Sequence, residues 1–364
     1  MKNYLFTLFL LLVLTSCGTS KQLNTNNLEL TFLNDYIIPE DLEVGGTIVG
    51  GLSGIDFHQG DYYLVCDHPG NPRFYRVKIP VNHSGIDTVL FTEVIELQKD
   101  HEFFSNNTLD LEAIRYDKNR NEIVLTSEGS ILKGHDPAIF HVSPTGEFIR
   151  KYNLPEYFLA SGEQKPRNNG VFEGLTASGR GGYWAGMELP LVKDGSKPKL
   201  FPTKSPVRIT HFNEAGEATR QFVMQLEGIT KIPWLYFAVN GLTELIEYAP
   251  NRFLVLERAF SAGHGSQGNT VRIFDVDARQ ASNTLEILNL RKQEYTAAKK
   301  TLIFDFKSVR KELKENIIDN IEGMTFGPIL PNGNRTLLLI SDNNFNSLGR
   351  QINQLILMEL NIKN

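Results

Sequence analysis

Five times along this chain, a short apolar strand carries one polar or acidic residue near its start. A turn follows, then a second, strongly apolar strand that ends in an acid. The first strands are GGLSGIDF, LDLEAIRY, GVFEGLTA, NGLTELIEY and NIEGMTF, with Ser53, Glu112, Glu173, Thr243 and Glu322 at the polar position. The second strands are YYLVCD, EIVLTSE, GYWAGME, RFLVLE and TLLLISD, ending in Asp67, Glu128, Glu188, Glu257 and Asp342. The two polar positions are separated by 14, 16, 15, 14 and 20 residues, which is one hairpin per unit with a longer turn in the last. A third strand follows in each unit: RFYRVKI, AIFHVSP, PVRITHF, TVRIFDV and QLILMEL. A fourth reads as FTEVIEL, EFIRKYNLP, TRQFVMQL, and either TLEILNL or TLIFDF. The last unit ends after its third strand, and the N-terminal LELTFLNDYIIP is available to complete it.

A period of about 60 residues, four antiparallel strands per unit and one strand left over predict an all-β fold. The expected architecture is a β-propeller of four-stranded antiparallel blades, closed by the N-terminal strand. Closure removes the unpaired edges that a linear array would leave. Five units are counted, and a sixth, more divergent one has room in Thr88–Asn107 or Asn289–Asn320. Leu290–Lys300 and Lys307–Asp319 are charged and helix-favouring and read as insertions before the last repeat.

In a propeller the innermost strand lines the central channel and the second strand runs back beside it. The start of the first and the end of the second therefore share one end of the channel. The repeat directs Glu112, Glu173, Glu322, Asp67, Glu128, Glu188, Glu257 and Asp342 to that rim. Crowded carboxylates repel and shift their pKa values upward. Bound cations, arginine partners or strand-end hydrogen bonds to backbone N–H groups can relieve this. An oxygen-rich rim suits a hard cation, Ca²⁺ above all, and no His or Cys cluster points to zinc. Arg73, Lys165, Arg167, Arg258 and Arg350 are the cations expected near the same end. Arginine offers a fork matched to phosphate or carboxylate, and each also fits a salt bridge to a neighbouring acid.

The chain opens MKNYLFTLFLLLVLTSCGTS, one lysine and an apolar run ending in small residues and Cys17. Residues 1–16 read as a signal peptide, and Leu14–Cys17 resembles the bacterial lipobox, implying lipidation of Cys17. Residues 17–27 read as a polar tether and 28–364 as a single propeller domain. The implied location is the cell envelope, lipid-anchored, with Gly18 after the cysteine favouring the outer membrane. A net charge of −5 argues against a nucleic-acid partner. Cys66, the only other cysteine, reads as a small buried hydrophobe.

With these strands set out, the chain resembles the phytase-like family, described as having esterase-like activity of phytase. The matching words are GGLSGIDF with YYLVCDHPGNPRFYRV, LDLEAIRYD with EIVLTSEG, and RNNGVFEGLT with GYWAGMELPL. RFLVLERAF follows, then NIEGMTFGP with TLLLISDNNF. The resemblance implies a β-propeller exported across the inner membrane and acting as a hydrolase on phosphoester or ester bonds; a monomer with a small-molecule substrate is expected. It marks Asp67, Glu128, Glu188, Glu257 and Asp342 as candidate metal ligands, and Arg73, Arg258 and Asn169 as candidate substrate contacts. Glu173, Glu322 and Glu112 are the candidate catalytic carboxylates, Glu173 or Glu322 serving as general base beside the cation. Thr243 departs from the acidic pattern in the fourth unit. The alternative is a non-catalytic propeller that binds a ligand or partner protein at the rim.

GHGSQG (Gly263–Gly268) matches a dinucleotide glycine pattern but precedes a strand, so it reads as a loop near Arg258 from which His264 could reach a substrate. No G-x-S-x-G elbow is present. Ser53 reads as a channel-lining hydroxyl, with His68 the nearest candidate base for a nucleophilic role.

Overall fold

The computed structural model describes residues 27–82, 85–98, 100–346 and 350–363. The expected signal peptide and Cys17 lie outside them. The described residues form five four-stranded antiparallel blades, and no sixth is present among them. Blade one comprises Leu52–His58, Asp61–Cys66, Arg73–Lys78 and Leu90–Glu96, and blade two Leu111–Asp117, Glu122–Ser127, Ala138–Val142 and Phe148–Lys151. Blade three is Phe172–Ala177, Tyr183–Met187, Pro206–Phe212 and Ala218–Gln225, and blade four Ala238–Ala249, Arg252–Ser261, Asn269–Asp277 and Lys299–Asp305. The fourth strand of blade four is thus the TLIFDF segment, and TLEILNL lies in the loop before it.

Blade five joins Asn320–Ile329, Arg335–Asp342 and Gln354–Ile362 to the N-terminal strand Leu28–Ile37. That strand pairs antiparallel with the last, from Leu28 opposite Ile362 to Ile37 opposite Gln354. The two regions with room for a sixth blade hold other structure. Thr88–Asn107 supplies the outer strand of blade one and a single helical turn, Glu102–Ser105. Leu290–Lys300 is irregular up to Lys299, and Lys307–Asp319 contains only short 3₁₀ turns, so the helical expectation there fails. Packing against neighbouring blades overrides the local propensity of these charged runs.

Second strands are buried on both faces because each blade lies between two others. Leu337, Leu338, Leu339 and Ile340 are all fully buried, which explains their continuous apolar run. Aromatic pairs seal blade to blade, with the Trp184 and Phe253 rings 5.4 Å apart between blades three and four.

Five blades leave a narrow channel. A Cβ on Gly323 would lie 2.9 Å from Gly54 Cα, and one on Gly54 would lie 2.7 Å from Glu112 O. Below the rim the channel is closed by a buried ion pair, Arg115 Nη2 to Glu244 Oε2 at 2.7 Å. Arg115 Nη1 also donates to Ile55 O at 2.8 Å and Ile114 O at 2.7 Å, and Glu244 Oε1 accepts from Leu175 N–H at 3.0 Å. These contacts span blades one to four, so the plug ties the ring together.

Candidate functional site: an acidic channel mouth

Every innermost strand carries a β-bulge at its polar position. The register shifts between Leu52 and Gly54, Leu111 and Ile114, Phe172 and Gly174, Leu242 and Glu244, and Ile321 and Gly323. Ser53, Glu112, Glu173, Thr243 and Glu322 are the bulged residues. A bulge leaves its residue out of the ladder and re-aims its side chain. This is how a glutamate occurs within an apolar core strand.

The residues before the bulges, Leu52, Leu111, Phe172, Leu242 and Ile321, pair with Cys66, Ser127, Met187, Glu257 and Ser341. One step further along the second strand stand Asp67, Glu128, Glu188, Arg258 and Asp342. Arg258, not Glu257, is therefore the fourth-blade counterpart of the rim acids. The placement of Glu257 at the rim is corrected. Its Oε1 accepts from Lys300 Nζ at 2.6 Å, and its Oε2 from Glu227 N–H and Asn240 Nδ2, both at 2.9 Å. The cause is a second register shift in blade four, between Glu247 and Ala249. It lengthens the inner strand by one residue, and a one-residue slip turns a side chain to the other face.

The acids that do converge include one that the repeat pattern missed. Asp110, Glu112 and Glu128 offer oxygens within 4.8 Å of one another, as do Glu128, Glu173 and Glu188. Asp110 lies two residues before the bulged glutamate, at a position occupied in other blades by Gly51, Val171, Gly241 and Asn320. Only its acidity beside LEAI marked it.

Burial followed by mutual repulsion raises these carboxyls. Asp110 is pushed up to about 7 by burial and by Asp67. Glu128 rises to about 8 through burial and Glu188, against the lowering effect of its hydrogen bond from Val171 N–H. Glu112 rises well above the usual range through burial and then Glu173, and Glu173 through burial and then Glu128. Burial raises Glu188 and Glu322 to about 7, opposed in both by Arg258. Burial and Asp67 raise Asp342 as well.

The acids divide by what they hold. Glu322 Oε1 accepts from Arg258 Nη2 and Asn320 Nδ2, both at 2.9 Å, and Asp342 Oδ1 accepts from Asn344 N–H at 2.7 Å. Asp110, Glu112, Glu173 and Glu188 accept no hydrogen bond from any described residue. Glu173 and Glu188 are nevertheless 8% and 6% exposed. Buried and half-buried carboxylates without donors, within reach of one another, form an oxygen-only set that fits a hard divalent cation.

Of the expected cations, Arg258 alone joins this group. Its Nε is buried without a hydrogen-bond partner among the described residues. Arg73 is turned to protein acceptors: Nε to Tyr75 Oη at 2.7 Å, Nη1 to Asn71 O at 2.9 Å and Nη2 to Ile48 O at 3.0 Å. Arg167 binds Pro190 O and Gly195 O, Lys165 is exposed, and Arg350 pairs with Glu315 at 2.7 Å. Asn169 sits on the exposed loop before blade three and accepts from Asn168 Nδ2 at 2.6 Å. Lys197, which the repeat did not reveal, lies near enough to Glu188 to lower its pKa. Ser53 Oγ donates to Leu111 O at 2.8 Å, a blade-to-blade link, while His68 Nδ1 accepts from Asn71 N–H. His264 lies on a loop, its Nε2 2.8 Å from Ile232 O, and the glycine pattern around it forms a single 3₁₀ turn, Gly265–Gln267, and no α-helix.

The fold and this mouth define a five-bladed β-propeller with a carboxylate-lined channel entrance. The chain belongs to the phytase-like family, esterase-like activity of phytase, which it matches over residues 47–345. No curated protein matches it. Similar solved structures include a GH43 protein from Bacillus licheniformis, with 10% identity and TM-score 0.42, covering 84% of this chain and 50% of that one. A xylan β-1,4-xylosidase from Bacillus halodurans shows 9% identity and TM-score 0.42, covering 84% and 52%. A DUF4221 protein from Bacteroides vulgatus shows 12% identity and TM-score 0.41, covering 93% and 99%. The chain spans about half the length of the first two.

Proposed function

We propose that the channel mouth is the reaction centre of a hydrolase acting on phosphoester or carboxylic ester bonds of a small molecule, with Ca²⁺ bound among the acids. The observation that carries this reading is the convergence of Asp110, Glu112, Glu173 and Glu188 without internal donors, beside the unpartnered Nε of Arg258. Asp110, Glu112, Glu128 and Glu188 are the residues that would hold the cation. When bound, Ca²⁺ supplies charge neutralisation and Lewis acidity at the scissile group. Arg258, whose side chain is 13% exposed, binds a non-reacting oxygen of the substrate. Burial and its neighbours raise Glu173, so its base role depends on the cation: with Ca²⁺ bound beside it Glu173 would lose its own proton, accept that of the attacking water and return it to the leaving oxygen. We extend the proposal to location: Cys17 anchors a monomeric propeller at the cell envelope, and no nucleic acid is a partner.

A binding-only role draws support from Glu322 and Asp342, whose oxygens link protein donors at strand ends. One experiment separates the two readings. Purified protein is assayed on p-nitrophenyl phosphate and p-nitrophenyl acetate, with Ca²⁺ and with chelator, beside the Glu173→Gln variant. The enzyme reading expects Ca²⁺-dependent turnover that falls at least about 100-fold in the variant. Absence of turnover on both substrates, with a melting temperature indifferent to Ca²⁺, overturns it.

A further inference from the structure

Blade four overshoots the channel rim. Its two inner strands continue three residues past the Gly241–Arg258 pair, to Ala238 and Ser261. The chain entering the blade folds over this extension, with Trp234 N–H donating to Ala262 O and Ala262 N–H to Phe237 O, both at 2.9 Å. At the resulting tip Ile232, Trp234, Leu235, Tyr236 and Phe237 are 72, 74, 69, 99 and 56% exposed. Tyr236 holds φ +58°, left-handed backbone that is unfavourable for a bulky aromatic side chain. A second apolar pair stands on the neighbouring blade-three loop, Leu200 at 43% and Phe201 at 79% exposure. Ile229 N–H donates to Lys199 O at 2.9 Å and ties this loop to the base of the tip.

The surroundings are cationic although the chain carries a net charge of −5. Lys199 and Lys204 are exposed on one side, and Lys307 and Arg310 act on Lys231 from the other. The nearby Asp305 is engaged by Arg272 at 2.9 Å. Consecutive apolar side chains exposed to this degree mark an interaction surface. A second copy is a poor occupant, because an isologous contact through the tip would set these cations against themselves. A projecting tip rich in Trp, Tyr and Phe and flanked by lysines suits a deformable, anionic, amphipathic surface.

We propose that this tip docks the protein on an anionic lipid bilayer. Trp234, Tyr236 and Phe237 enter the boundary between headgroups and acyl chains, and Lys199, Lys204 and Lys307 meet the phosphates. The tip rises from the same end of the channel as the acids, so docking turns the acidic mouth toward the lipid surface.

The test uses a chain beginning at Asn27, which keeps every strand of the closed ring and lacks the segment expected to carry lipid. Of its two tryptophans, Trp184 is 2% exposed, so a blue shift in emission reports on Trp234. Phosphatidylcholine vesicles with phosphatidylglycerol are expected to co-sediment the protein and blue-shift its emission. Pure phosphatidylcholine or high salt weakens both effects. The double variant Trp234→Ser, Tyr236→Ser is expected to bind at least about tenfold more weakly with an unchanged melting temperature. The proposal is overturned if emission and sedimentation ignore the vesicles, or if the variant binds as well as the parent. It is equally overturned if the parent is a dimer in solution that the variant dissolves.

Discussion

Arg258 Nη2 lies 2.9 Å from Glu322 Oε1, and it does so from the register position at which the other four blades place an acid. One positive residue thus interrupts what the repeat would make a complete carboxylate ring. Arg258→Met removes the charge that opposes the raised pKa values of Glu188 and Glu322. The expected loss is about 2–4 kcal/mol in urea unfolding at pH 8. It should shrink toward pH 5, where the acids carry protons. An equal loss at both pH values would show that Arg258 does not act as counter-charge.

The raised carboxyls fix the sign of the pH dependence without metal. Below the ordinary Glu value of 4.5, folded and unfolded chains both hold these protons. Between that value and about 7 to 8, where Asp110, Glu128, Glu188 and Glu322 titrate in the fold, the folded chain holds more of them. Raising the pH across this window therefore destabilises the fold. In chelator the melting temperature is expected to fall from pH 5 to pH 8. Added Ca²⁺ competes with those protons, so its stabilising effect should grow over the same interval. A melting temperature that climbs with pH in chelator would contradict the assignment.

Glu188→Gln should move stability and metal binding in opposite directions. The amide removes a buried charge from the mouth, so the metal-free variant is expected to melt above the parent at pH 8. Its Ca²⁺ affinity, read by calorimetry, should drop at least about tenfold. A variant that binds Ca²⁺ as tightly as the parent would take Glu188 out of the site.

The plug below the mouth allows a double-mutant cycle. Arg115→Met strands Glu244, whose pKa burial already raises to about 7, and should cost about 3–5 kcal/mol in denaturant. Adding Glu244→Leu is expected to recover most of that loss. The backbone donors Leu175 N–H and Leu245 N–H lose their acceptor in the pair, so recovery should be incomplete.

The repeat and its leftover strand were legible because hydrophobic runs and turns recur at a nearly constant period. The rim acids of blades one, two, three and five were legible for the same reason. Glu257 misled because a hairpin of 14 residues matched Ser53–Asp67, and no alternation pattern reveals a second bulge near Tyr248. Asp110, Glu244 and Arg115 escaped notice because their positions vary from blade to blade. Their meaning comes from neighbours some 60 to 130 residues away, such as Ile55 and Glu244 around Arg115. The sequence presents Arg73 as free for substrate, but Tyr75, Asn71 and Ile48 occupy its donors.

The pairing of Leu28–Ile37 with Gln354–Ile362 has a kinetic consequence. The first strand cannot find its partner until synthesis has passed Ile362, a delay on the order of tens of seconds at ordinary synthesis rates. Until then blade five lacks an edge and blades one and five cannot close around the channel. The mouth, with acids from blades one, two, three and five and Arg258 from blade four, is therefore assembled last, in the step that closes the ring.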